Sequence, residues 1–437
     1  MPANPFHTAW FLQGSSIQAW GEPWIGNISE DWMSAEMFLD LARAIERACF
    51  DYLLIEDSIY VGEMWQQSRD IYLKNGMSIP RQEPSVVATL MCAATKHLGI
   101  VPTLSTFAYH PYLTARIMGT LDQISGGRAG WNMVTGSADF GAQNFGMDRL
   151  PEHDLRYDMA HEYIEIVQKL WDSWEPGAIV ADSRSGVLID PGKVHPINYS
   201  GEFYRSRGPL NSGPCPQGRP VIAQAGGSAK GRDFAARHAE TIVVHMKGIE
   251  QMKAYRDDVR RRMEAAGRNA DSCKILFLIA PILGETDEDA QERAHRRMKS
   301  AARNTDVKLA QLGWSTNIDF SQFDLDQPVG ELTTNGHQQS LAQFLRKAGK
   351  RTLREAITEY GTLGMSVDLI GCPETVAAKM DEVMQEVGGD GFLFALPNVN
   401  RRNVAEITEG LIPELQQRGL VRRAYGAKHL RDNLLEF

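Results

Sequence analysis

The run Leu121-Asp122-Gln123-Ile124-Ser125-Gly126-Gly127-Arg128-Ala129-Gly130-Trp131-Asn132-Met133-Val134-Thr135 decides how this chain is read. It predicts the end of a helix, a tight Gly-Gly turn, and a short strand that carries Asn132 and Thr135 to its C-terminal tip. Adjacent glycines supply the left-handed or close-approach backbone that such a turn needs. A strand ending in small polar residues is how α/β folds present side chains to a ligand. Incidental polar residues on a strand would leave the same trace, so the rest of the chain has to arbitrate.

Outward from this stretch, strand and helix patterns alternate. Short apolar strands are expected at 8–12, 52–55, 99–106, 129–134, 220–224, 241–244, 275–282 and 391–396. Helices are expected at 36–48, 84–95, 112–123, 156–174, 231–238 and 248–266, with apolar residues recurring at three and four. Eight strands of this kind, each trailed or preceded by a helix, predict a (β/α)8 TIM barrel rather than a doubly wound sheet. The whole chain, 1–437, is read as a single barrel domain with two long insertions. Residues 175–218 are rich in Gly, Pro and Ser and are expected to be β-rich. Residues 284–370 are expected to hold a charged helix capped by Thr286, a polar loop at 312–339 and a helix at 340–360. Pro373 should open the next helix. Insertions of this size are expected over the catalytic mouth, as a lid, or at an oligomer contact.

Composition narrows the function classes. The 437 residues carry a net charge of −9 and no dense Lys/Arg block, which argues against nucleic acid as a partner. Five scattered cysteines form no CxxC or Cys/His cluster, so neither a disulfide scaffold nor a metal site is expected. No apolar stretch reaches the length of a membrane span, and no targeting segment is recognisable, so a soluble, cytoplasmic protein is expected.

Several positions carry chemistry. Asp57 follows an apolar strand, which puts a carboxylate at the barrel mouth unless it serves as a helix N-cap. Thr103, Ser105 and Thr106 are hydroxyls at the end of another strand, where β propensity alone could explain them. His153 and Tyr157 lie one turn apart at the start of a long helix, and with Arg156 they form an anion-recognition candidate. A surface or capping histidine is the alternative. Ala225-Gly226-Gly227-Ser228-Ala229-Lys230-Gly231-Arg232 follows a strand and opens a helix, so backbone N–H groups, Gly227 and Ser228 can cradle a phosphate. The run is neither GxGxxG nor a Walker loop, and a packing turn would read similarly. A phosphate cradle late in a barrel points to a phosphorylated cofactor, for which flavin mononucleotide fits.

With these residues in hand, the chain resembles the nitrilotriacetate, pristinamycin IIA synthase and dibenzothiophene-sulfone monooxygenase family, a branch of the bacterial luciferase-like flavin enzymes. The matching segments include Glu83-Pro84-Ser85-Val86-Val87-Ala88-Thr89, His110-Pro111-Tyr112-Leu113-Thr114-Ala115-Arg116, residues 120–135, Asn144-Phe145-Gly146, residues 153–157, Asp190-Pro191-Gly192-Lys193-Val194-His195 and residues 216–232. The resemblance implies a barrel that uses reduced FMN (FMNH2) and O2, the flavin coming from a separate NAD(P)H:FMN reductase. It implies that Asp57, Thr103, His153, Tyr157 and Ser228 bind FMN, with Asn132 beside the flavin ring. It leaves no side chain with the oxidising role, because a flavin peroxide carries it.

The sequence departs from the sulfone monooxygenases after Trp10-Phe11, where those enzymes carry a histidine pair and this chain has Gln18-Ala19-Trp20. Trp10, Phe11, Trp20 and His110 are taken as the substrate side, which suits an aromatic, organosulfur or halogenated compound. Ordinary packing would also account for the aromatics among them. The activity expected is an FMNH2-dependent monooxygenase, acting as a homo-oligomer (dimer or tetramer). A deazaflavin-dependent dehydrogenase on the same barrel and an idle flavin-binding protein are the competing readings.

Overall fold

Eight parallel strands close on themselves: β1 (His7–Leu12), β2 (Tyr52–Ile55), β3 (Gly99–Ser105), β4 (Gly130–Val134), β5 (Val221–Gln224), β6 (Thr241–Val244), β7 (Lys274–Ile279) and β8 (Gly391–Phe394). Each pairs with its neighbour in sequence, and β1 meets β8 with His7 opposite Gly391 to complete the (β/α)8 barrel. The computed structural model describes residues 4–13, 33–301, 304–358, 365–397 and 399–437.

Strand residues alternate between two cores. Ala9, Leu54, Val101, Ala223, Val243 and Leu393 fill the barrel interior. Trp10, Leu53, Trp131, Met133, Phe277 and Phe394 point outward into the layer shared with the helices. That layer is closed by α1 (Ala35–Arg47), α2 (Pro84–Ala94), α3 (Pro111–Ser125), α4 (His153–Trp171), α5 (Ala229–His238), α6 (Ile249–Ala265), α7 (Pro373–Val387) and α8 (Arg401–Ala405). Proline opens α2, α3 and α7, where its fixed φ suits the first turn and its missing N–H costs nothing. The expected strand 275–282 breaks at Pro281. β7 stops at Ile279, and Ile282–Leu283 pairs separately with Ile370–Gly371. The helix expected at 156–174 runs instead over His153–Trp171.

The opening stretch folds as a helix, a turn and a strand. Gly126 (φ 71°) caps α3 in the left-handed region and Gly127 (φ 94°) continues the turn, with the His429 ring packed where its Cβ would stand. Asp122 and Arg128 are buried at the foot of the barrel. Asp122 accepts from Gln217 Nε2 at 2.6 Å, and the Arg128 guanidinium donates to the carbonyls of Leu98 (2.7 Å) and Cys92 (3.1 Å). Asn132 sits in the middle of β4, not at its tip, and Thr135 lies just past the strand end.

The two insertions leave from opposite ends. Residues 175–218 hold two antiparallel pairs, Ile179–Asp182 with Val187–Ile189 and Tyr199–Ser200 with Arg205–Ser206. This segment joins the end of α4 to the start of β5, so it departs from the foot of the barrel and does not roof the mouth. Residues 284–370 follow β7 and rise from the mouth. Their helices are Asp287–Ala301, Thr305–Thr316, Gln338–Ala348 and Leu353–Thr358, so the polar loop expected at 312–339 is partly helical and the helix expected at 340–360 is two. Leu309, Leu312, Phe320, Leu341, Phe344 and Ile357 give this insertion a hydrophobic core of its own. It is stitched to the loop after β2. Tyr60 stacks on Trp314 at 5.8 Å and donates to its carbonyl at 3.0 Å, and the Tyr72 hydroxyl donates to Ala310 O at 3.1 Å. Among the described residues no helix is long and apolar enough to cross a membrane.

Candidate active site

The barrel interior changes from apolar to polar toward the C-terminal ends of β3 and β4. Thr103 and Asn132 face each other across the ladder, both buried, and Asn132 Nδ2 donates to Thr103 Oγ1 at 2.8 Å. Asn132 Oδ1 and, one pleat higher, Ser105 Oγ are buried with no hydrogen-bond partner. Unpaired buried polar atoms cost free energy unless a ligand or water completes them. This layer is therefore built to receive a polar group from above.

A second group of residues forms where β5 passes into α5. Ser228 is the N-cap of α5, its Oγ accepting from the amide of Gly231 at 3.0 Å. The unpaired amides and aligned dipoles at such a helix start favour an anion. The turn is too tight for side chains. A Cβ on Gly226 would strike the Gln224 carboxamide and the Gly231 carbonyl, and one on Gly231 would lie 2.7 Å from the Tyr157 hydroxyl. That hydroxyl sits among Ser228, Gln224 and Thr135; burial pushes its pKa up, so it stays a donor, while its hydrogen bonds oppose the rise. His153 meets Tyr157 edge-on, ring centroids 5.2 Å apart, and its Nδ1 lies 2.8 Å from the Asp154 carboxylate. His153, Tyr157, Gly227 and Ser228 are thus brought together by α4 and the start of α5. Arg156 is not part of this group: its guanidinium is buried and donates to Pro151 O (2.7 Å) and Asn335 O (2.9 Å), fastening the second insertion to α4.

Asp57 follows β2 and borders a cavity of about 810 Å³ shared with Tyr60, Ile79, Arg81 and Tyr109. It caps no described helix. Burial raises its carboxyl to about 6, against the opposing pull of Arg81, whose guanidinium is paired with Glu56. Phe11, half-buried, packs on the barrel-interior core close to the end of β1.

The remaining substrate-side candidates fare differently. Trp10 is a correction: it points outward, fully buried between Phe50 (5.9 Å) and Phe394 (6.3 Å), and is packing of the barrel wall. His110 N-caps α3, its Nδ1 accepting from Tyr112 N at 3.2 Å, with its ring exposed. Trp20 and the departure at Gln18-Ala19-Trp20 lie outside the described residues.

Sequence reading missed Gln224 and Gln339. Gln224 ends an apolar strand just as Asn132 interrupts one, so the same signal could have found it. Gln339 carries no local signal: the second insertion brings its carboxamide into the space where a Cβ on Gly227 would stand.

Known proteins share both sequence and fold with this chain. The family model for luciferase-like monooxygenases matches residues 14–391. The dimethyl-sulfide monooxygenase of Hyphomicrobium sulfonivorans is 36% identical over 403 residues, covering 92% of this chain and 83% of that protein. The dibenzothiophene-sulfone monooxygenase of Rhodococcus erythropolis is 35% identical over 432 residues, covering 97% and 95%. Among solved structures, a riboflavin lyase with modified FMN and its substrate riboflavin superposes with a TM-score of 0.90 at 32% identity, covering 99% of this chain and 96% of that one.

Proposed function

Because the chain belongs to the luciferase-like monooxygenase family, we propose that it is the oxygenase component of a two-component system, taking FMNH2 from a separate NAD(P)H:FMN reductase to oxygenate a small organic substrate with O2. The observation that carries this reading is the pairing of two unfinished sites at one mouth. Buried, unpartnered Asn132 Oδ1 and Ser105 Oγ suit the polar edge of a flavin ring, and the glycine cradle before α5 suits its phosphate. Ser228, the amides around Gly227, the Tyr157 hydroxyl and His153 would hold the phosphate; Thr103, Asn132 and Asp57 would face the ring. Bound reduced FMN would supply the electrons that activate O2. The chain's own task is to orient that ring, admit substrate through the cavity beside Asp57, and keep water out with the 284–370 insertion.

The two relatives named for organosulfur substrates make an organosulfur compound the first substrate class to try. A single barrel domain working in the cytoplasm as a homo-oligomer completes the proposal. The five free cysteines suit a reducing compartment. For the oligomer, α2 lacks any charged residue and leaves Val86 and Leu90 exposed.

The test supplies the purified chain with FMN, NADH, a flavin reductase and either dimethyl sulfide or dibenzothiophene sulfone, and follows O2 uptake and product. Turnover should require both the reductase and O2. NADH oxidation by the chain alone would sink the two-component reading. Anaerobic turnover with a deazaflavin would replace it with a dehydrogenase, and flavin binding with no O2-dependent turnover on any substrate class would leave an idle binder.

A further inference from the structure

Among the described residues, five aromatic rings meet at the barrel mouth, each from a segment that follows a strand. Tyr60 follows β2, Phe107 follows β3, Phe140 and Phe145 follow β4, and Trp314 belongs to the insertion after β7. The Tyr60 ring lies nearly flat on Trp314, with centroids 5.8 Å and planes 20° apart, and meets Phe140 at 6.3 Å. Phe107 meets Phe145 edge-on at 5.9 Å. Gly141 joins the two groups: a Cβ there would touch Phe107 at 3.5 Å and Tyr60 at 3.6 Å, both ordinary contacts. Packing for its own sake would bury these rings, as it buries Phe320 and Phe344 in the core of the insertion. Instead Phe145 is 47% exposed and the other four are half-buried. Tyr60 also lines the cavity beside Asp57, so the strip is continuous with that cavity. Half-exposed rings in a row offer faces and edges to another flat ring, whereas an aliphatic chain gains the contact area without the ring geometry.

We propose that this strip is the substrate wall of the site and selects flat aromatic molecules over aliphatic ones of equal size, with Trp314 setting the preference. The proposal rests on the monooxygenase reading above for what becomes of the substrate, but not for which substrate is seated. Its mechanics follow from where the rings come from. The barrel loops bring four of them, and the insertion brings Trp314. The Tyr60 hydroxyl, donating to Trp314 O at 3.0 Å, fixes the backbone beneath the indole. The wall is therefore complete only when the insertion is docked on the loop after β2. Substrate choice is tied in this way to the contact that closes the mouth.

Equilibrium dialysis of the full chain against dibenzothiophene sulfone and dihexyl sulfone tests this, since the two share the sulfone and the carbon count and differ in aromaticity. The parent should bind the aromatic sulfone about five- to tenfold more tightly, the worth of an aromatic contact beyond its area. Trp314→Leu should erase most of that ratio, and Trp314→Phe should restore it. Loosening of the insertion by Trp314→Leu would weaken both sulfones alike, so the ratio isolates the ring. Phe145→Leu changes an exposed ring outside the insertion and should lower the ratio about two- to threefold. Tyr60→Phe removes the hydrogen bond to Trp314 but keeps the ring, and should leave the ratio as in the parent. A parent ratio near one, a ratio that Trp314→Leu leaves unmoved, or no rescue in Trp314→Phe overturns the proposal. A reductase-coupled assay separates it from the reading beneath. O2-dependent turnover of dimethyl sulfide with no aromatic preference in dialysis removes the aromatic wall and keeps the monooxygenase. Aromatic preference in dialysis with no O2-dependent turnover on any substrate keeps the wall and removes the monooxygenase.

Discussion

Ser228 does two jobs with one hydroxyl. As N-cap it satisfies Gly231 N at 3.0 Å, and it stands beside the Tyr157 hydroxyl at the point where an anion would sit. Losing the cap should cost about 1 kcal/mol of stability. Ser228→Ala combined with Tyr157→Phe should weaken FMNH2 binding by about 1–3 kcal/mol, measured by anaerobic titration. Unchanged affinity in the double variant would move the phosphate elsewhere. Asp57 offers a pH signature. Burial lifts its carboxyl from 3.8 to about 6 in the folded chain, so between those values the native state binds the proton more tightly than the unfolded state. Stability contributed by this group therefore falls as pH rises through that window and is level above it. Asp57→Asn should remove the slope: thermal unfolding from pH 4 to 7 should show the variant gaining on the parent as pH rises. Parallel curves would show that the carboxyl titrates normally.

Element by element, the sequence spoke clearly where a local rule was strong. Pro84 and Pro373 mark the first positions of two helices, and the Gly126-Gly127 turn takes the left-handed backbone expected of it. It misled where a local signal and a nonlocal partner competed. Residues 275–282 look like one strand until Pro281 withholds an amide, and the segment 312–339 looks like a polar loop until Leu309 and Leu312 find Phe344 and Leu353. That separate core makes a prediction of its own. Phe344→Ala should destabilise the insertion by about 3–5 kcal/mol. Hydrogen exchange should then speed up across 305–358 and leave the barrel strands as they were. In a reductase-coupled assay more O2 should end as hydrogen peroxide and less as product, since water reaches the flavin. Equal acceleration in the barrel would show that the insertion is no independent unit.

Across the whole molecule, the barrel was legible from the chain alone because short, nearly continuous apolar runs alternating with amphipathic helices have few other ways to bury themselves. The clustering of Thr103 with Asn132, and of His153 with Tyr157, was legible in part. The second pair is one helical turn apart, but the first needs the β3–β4 register to bring residue 103 opposite 132. Trp10 shows the limit from the other side. Its type suggested a substrate pocket, yet strand alternation turns it outward against Phe50 and Phe394 while its neighbour Phe11 turns inward. By itself, then, the sequence determined the strands, the order in which they close, and the polar residues at their ends, because hydrophobic periodicity and turn chemistry act over a few residues. Only the tertiary structure decided that Arg156 fastens the insertion to α4 and that Gln339 reaches Gly227. Those outcomes depend on which surfaces meet across a hundred or more residues of chain, and no local propensity encodes them.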